Sequence, residues 1–122
     1  MYFGEVTDPN IRHIFRDAGD FIVRPLKCGK FTLYAYAIDG LTSGADTSEY
    51  VIRPITDNLT GSTPAALYEE ALLGNVYNSV ADPCKDLDTV ARKLVNGFCV
   101  ILFPEAGAIA FEVKTGEKRG IS

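Results

Sequence analysis

Residues Asp20–Leu41 read DFIVRPLKCGKFTLYAYAIDGL, and this stretch decides the fold class. Two apolar runs rich in β-branched and aromatic residues, Phe21–Leu26 and Phe31–Ile38, flank a short Lys27–Lys30 turn that carries Gly29. Such runs favour a pleated, half-buried surface. The short connection makes an antiparallel hairpin the simplest pairing. In the second run Phe31, Leu33, Ala35 and Ala37 lie on one face and Tyr34, Tyr36 and Ile38 on the other. A strand apolar on both faces belongs inside a covered sheet.

The residues on either side supply the covering helices. Asp8-Pro9 is a helix-start signal, Ile11, Ile14, Phe15 and Ala18 recur at helical spacing, and Gly19 stands at the expected end. The spacing predicts a helix over 9–18. A further helix is expected from Asp46 or Thr47, with Tyr50, Val51, Ile55 and Leu59 inward and a kink at Pro54. Another is expected over Pro64–Leu73, stopped by Gly74. Val76–Val80 reads as a short strand broken by Asp82-Pro83, with Cys84 in the loop that follows. The clearest helix starts at an Asp86 cap and runs to about Asn96. Leu87, Val90, Ala91, Leu94 and Val95 form one apolar stripe, and Gly97 ends it. Phe98–Phe103 is a second strand apolar on both faces, Pro104–Gly107 a hairpin turn, and Ile109, Phe111 and Val113 alternate as a half-covered or edge strand. The expected class is α/β in the α+β sense: a mixed β-sheet with antiparallel hairpins, covered by three to four helices.

The 122 residues make one domain or part of one, with 47% hydrophobic and 23% charged residues, ordinary for a globular chain. A net charge of −4 argues against nucleic-acid binding, which needs clustered Lys and Arg. No apolar run approaches the roughly 18 residues of a membrane helix. No basic-then-apolar leader opens the chain. A soluble, intracellular chain is therefore expected, and three scattered cysteines, Cys28, Cys84 and Cys99, are expected to be free thiols.

No catalytic constellation, metal-ligand spacing or cofactor motif is legible. His13 has no ligand-type residues at metal spacing. Cys99 lies in an apolar strand. Cys28 sits beside Lys27 and Lys30, whose charge favours the thiolate, so it is the candidate for a small thiol-dependent enzyme. The carboxylate pairs Glu69-Glu70, Asp86/Asp88 and Asp46/Glu49 suit helix starts and exposed helix faces. Asp20, Arg24 and Asp39 stand out as charged groups at the ends of apolar segments. Asp20 and Arg24 share a strand face but are roughly 13 Å apart, too far to pair within the strand. They form either a fold-specifying ion pair with another element or polar anchors for a ligand or partner.

Read in order, the chain resembles the first subdomain of the N-terminal soluble domain of GerA-type spore germination proteins, the A subunits of germinant receptors. The resemblance runs through the Asn10–Gly19 helix, DFIVR at Asp20–Arg24, YAIDGL at Tyr36–Leu41 and EYVIRPI at Glu49–Ile55. It continues with DLDTVARKLVNG at Asp86–Gly97, VILF at Val100–Phe103 and RGIS at Arg119–Ser122. The ADPCK segment with Cys84 and the FPEAG turn depart from it. The resemblance implies a non-catalytic piece, residues 1–122, of a larger membrane protein. The intact protein would sit in the spore inner membrane with this part on the spore-core side. The implied partners are other germinant receptor subunits and a small nutrient germinant (an amino acid, sugar or nucleoside), with neither cofactor nor metal. The implied tasks are assembly and signal transmission, or direct ligand binding.

Overall fold

The computed structural model describes residues 4–28, 30–38, 52, 55, 62–72 and 79–113. Asp39, and most of the helix expected after Asp46, lie outside the described residues. The described elements, in chain order, are α1 (Asp8–Ile14), β1 (Phe21–Cys28), β2 (Phe31–Ile38), α2 (Pro64–Glu70), β3 (Ser79–Cys84), α3 (Leu87–Val95), β4 (Cys99–Phe103) and β5 (Gly107–Val113). The five strands form one sheet in the order β1-β2-β4-β5-β3, and every pairing is antiparallel. The α+β class and both hairpins are as expected. The sheet expected to be mixed is antiparallel throughout these pairings.

The first hairpin pairs Phe21 with Ile38 and Cys28 with Phe31, so β1 runs two residues past the expected Leu26. β2 then pairs with β4 (Ala35 opposite Ile101), which puts the two doubly apolar strands side by side inside the sheet. All five residues of β4 are buried. Its alternation feeds both faces. Cys99, Ile101 and Phe103 join Leu26, Leu33, Ile109 and Phe111 under Leu67 of α2, together with Ile52 and Ile55. Val100 and Leu102 join Tyr36, Ala108 and Ala110 under Ile11 of α1 and Leu87, Val90 and Leu94 of α3. The molecule is thus helix, sheet, helix, with one core on each side of the sheet.

Four local expectations change. α1 ends at Ile14, capped at Phe15, instead of reaching Ala18. Phe15 leaves the helix to stack on Phe21 (4.9 Å between centroids), which stacks in turn on Tyr36 (5.9 Å). β3 runs straight through Asp82-Pro83. Pro83 is tolerated because β3 is the sheet edge, where one side of the strand has no ladder to supply. Cys84 is accordingly a buried strand residue, not a loop residue. β5 is not an edge: it lies between β4 and β3, and Ala108 to Phe111 are all buried. Finally, Val95 is 54% exposed. Eight residues after Leu87 the helix has turned about 80° away from it, which leaves Val95 on the rim of the stripe.

α3 is closed at both ends by its own residues. The Asp86 carboxylate accepts from the Thr89 backbone N–H at 2.7 Å. Hydrogen bonding from Thr89, its side chain first and its backbone N–H second, holds the carboxyl below its ordinary range. At the other end Gly97 adopts φ 88°, and the N–H groups of Gly97 and Phe98 donate to the carbonyls of Leu94 and Lys93 at 3.1 and 3.0 Å. That left-handed cap turns the chain directly into β4.

Candidate functional site

Of the three charged residues singled out by sequence, Asp20 and Arg24 lie among the described residues. Asp20 is exposed in the turn before β1. Arg24 is exposed in the middle of β1, opposite Ala35, on the face that carries Leu26 and Cys28. Arg24 acts electrostatically on Cys99, where its charge opposes the effect of burial.

The thiols are inert by environment. Cys28, Cys84 and Cys99 are all free and buried. Burial raises the Cys28 thiol, with the charge of Glu70 adding to the effect. The lowering expected from Lys27 and Lys30 is not what this site delivers, since both lysines are exposed and Cys28 is only 3% exposed among apolar neighbours. Its thiol donates to the Ile55 carbonyl at 3.8 Å. Burial pushes Cys84 up to about 11 and Cys99 up to about 12. Burial thus works against the reactive thiolate that the thiol-enzyme reading needs at Cys28. His13 is exposed, with its Nδ1 3.3 Å from Arg16 Nη1. Among the described residues no cluster of His, Cys, Asp or Glu is placed to hold a metal ion.

A polar constellation that the sequence did not reveal is centred on Asp8. Thr7, not Asp8, caps α1, its hydroxyl accepting from the Asn10 backbone N–H at 3.4 Å. This frees the Asp8 carboxylate. Oδ1 accepts from the Tyr36 hydroxyl at 2.6 Å and from Arg12 Nε at 2.8 Å, while Oδ2 takes the same Arg12 nitrogen at 2.9 Å. Tyr36 is fully buried. Desolvation, followed by the bond to Asp8, holds its hydroxyl protonated far above the ordinary tyrosine range. The i to i+4 spacing of Asp8 and Arg12 was legible; the partner 28 residues away was not. Asp8→Ala leaves the Tyr36 hydroxyl buried without an acceptor and should destabilise the fold by about 1–3 kcal/mol. Asp8→Asn should recover most of that loss. Chemical denaturation of the two variants checks this; equal losses would place the effect in the Arg12 pair instead.

Beside this network lies a largely apolar cavity of about 230 Å³, lined by Val6, Thr7, Asp8, Tyr34, Leu102, Pro104 and Glu105. The β4–β5 turn forms its rim. Ala106 N–H donates to the Phe103 carbonyl at 2.9 Å, with Pro104 and Glu105 as the central residues. Glu105 has φ 69°, the left-handed conformation that a type II turn requires of its third residue, usually glycine. Gly107 (φ 140°) follows, so close to the Tyr68 ring that a Cβ there would meet it at 3.1 Å.

No described helix is long and apolar enough to cross a membrane. No family model and no curated protein matches the sequence. In three dimensions the chain shares the fold of the N-terminal domain of the A subunit of the Bacillus megaterium spore germinant receptor GerK3. The TM-score is 0.64, with 13% sequence identity over 88% of this chain and 44% of that one. The chain thus spans less than half the length of the structure it matches, and it shares the α+β fold of a germinant receptor A-subunit domain, the family its ordered motifs resemble.

Proposed function

We propose that this chain is the first subdomain of the N-terminal part of a GerA-type germinant receptor A subunit, acting through subunit contact and signal transmission in nutrient-triggered spore germination. The observation that carries the reading is the fold shared with the GerK3 A-subunit domain across 88% of the chain. That the motifs DFIVR, YAIDGL and DLDTVARKLVNG follow the order of that family supports it further. The task is non-catalytic. Raised, buried thiols and an isolated exposed histidine offer no reacting group. The intact protein belongs to the spore inner membrane with this domain on the core side, tethered by segments outside this chain. Asp20, Arg24 and Asp39 serve as polar anchors for a sister subunit or a ligand, with Asp20 just before the edge strand β1 and Arg24 within it.

The test is pull-down and sedimentation of the domain, alone and within the full-length A subunit, against the other subunits of its receptor. Association that weakens on Arg24→Glu is the expected result; no association in either context overturns the reading. A second reading, direct binding of a nutrient, is favoured by the cavity beside Asp8. Calorimetry against amino acids, sugars and nucleosides separates the two.

A further inference from the structure

We infer that Pro25 and Pro83 close the two outer edges of the sheet to a second copy of this chain, so that the domain does not extend its sheet by strand addition. This inference stands independently of the receptor reading.

Among the described residues β1 and β3 are the outer strands of the sheet, and each carries one proline. Both prolines are exposed. Their register fixes where the ring nitrogen points. Along an antiparallel pair, residues that exchange N–H and C=O bonds with the neighbour alternate with residues whose groups point the other way. Pro25 stands opposite Tyr34 and Pro83 opposite Ile109, each inside an unbroken run of pairs. A proline has no N–H to exchange. The bonding positions are therefore Arg24 and Leu26 toward β2, and Asp82 and Cys84 toward β5, and both proline nitrogens face outward. The inner strands agree with this alternation. Tyr34 also pairs with Leu102, and Ile109 with Ile101. Each residue opposite a proline thus has a neighbour on its other side to take its own ladder groups.

Without the prolines these edges would be open templates. β1 is eight residues long, and Phe21, Ile22, Val23 and Leu26 suit a sheet. An edge of that kind recruits another strand. With both edges open, β1 of one copy would pair with β3 of the next, a head-to-tail contact that need not close and can grow into filaments. Charge does not prevent this. Arg24 and Lys27 repel a second β1, but β3 has no basic residue and carries Asp82. Pro25 interrupts the outward row of Phe21, Val23 and Lys27, and Pro83 ends the outward row of Ser79 and Ala81. An incoming strand finds no donor at either proline and meets the ring instead. A proline on one edge alone would leave the other free for a closed dimer, so both are needed.

The experiment compares the unaltered chain with Pro25→Thr, Pro83→Thr and the double variant. Pro64→Ala is the control, because it removes a proline from the start of α2 and not from an edge. Sedimentation reads association, and amide exchange by NMR reads where it occurs. In dilute solution the amides that the two threonine substitutions create should exchange freely, while those of Leu26 and Cys84 stay protected. On concentration the double variant should associate at least about tenfold more tightly than the unaltered chain, and the new amides should become protected. Either single variant should go no further than a dimer. Pro64→Ala should behave as the unaltered chain does. New amides protected in the monomer, lost protection at Leu26 or Cys84, or a double variant no more associated than the unaltered chain would each overturn the assignment. So would single variants that grow past dimers, or equal association in Pro64→Ala.

Discussion

Replacing Phe103 by alanine should destabilise this protein by about 3–5 kcal/mol, the usual range for emptying a fully buried phenylalanine site. Phe103 is wholly inaccessible and ends β4 immediately before the strained turn. Its ring meets Tyr68 of α2 edge-on, with centroids 5.7 Å apart and planes at 88°. Alanine there removes one of the contacts, beside that of Leu67, that seat α2 on the sheet. The core cannot close over the void, because Ile101, Ile109 and Phe111 are held in register by neighbours on both sides. Against a total stability of about 5–15 kcal/mol for a typical domain, this is a large share. The urea midpoint should fall with the m-value unchanged. Val95→Ala, at a site 54% exposed, is the control and should move the midpoint little. A Phe103→Ala cost below about 1 kcal/mol would mean that α2 does not rest on this face.

Stability should also fall steeply above about pH 9. Cys28, Cys84 and Cys99 each ionise less readily in the folded chain than at the ordinary thiol value of 9.0, and Tyr36 less readily than at 10.0. Burial is the largest cause in all four. A group whose folded value is raised contributes fully below its unfolded value, because both states then hold the proton. As pH rises past 9.0 the unfolded chain releases thiol protons that the folded chain retains, and the balance moves toward unfolding. Each group adds a slope of up to about 1.4 kcal/mol per pH unit. For Cys84 that slope ends near 11 and for Cys99 near 12; Tyr36 joins above 10.0. Denaturant midpoints measured from pH 7 to 11 should be level to about pH 9 and then drop. Cys99→Ala should flatten the drop between pH 9 and 11, whatever it does to stability at pH 7. A profile level to pH 11 would show that these groups are hydrated in the folded state.

The Asp8 network shows the limit of reading along the chain. Asp8-Pro9 announces a helix start, and the natural inference is that Asp8 caps it. Thr7 does so instead, and Asp8 is spent on Tyr36, which three-dimensional packing alone brings to 2.6 Å. The same holds for the cavity: its walls are separated by up to about a hundred residues and share no motif. Asp82-Pro83 misleads for a related reason. Proline is a breaker only where its missing N–H is needed, and whether β3 is an edge depends on strand order.

Local pattern determined a good deal unaided. The continuous apolar runs of β1, β2 and β4, the 3.6-residue stripe and caps of α3, and the FPEAG turn all report interactions between near neighbours, which spacing encodes directly. Helix ends, strand order, the burial of Cys28 and Cys84, the exposure of Arg24 and the partner of Asp8 were decided by the tertiary structure. Each depends on which distant segment excludes water from a given side chain, and that is a property of the assembled sheet and its two helical layers.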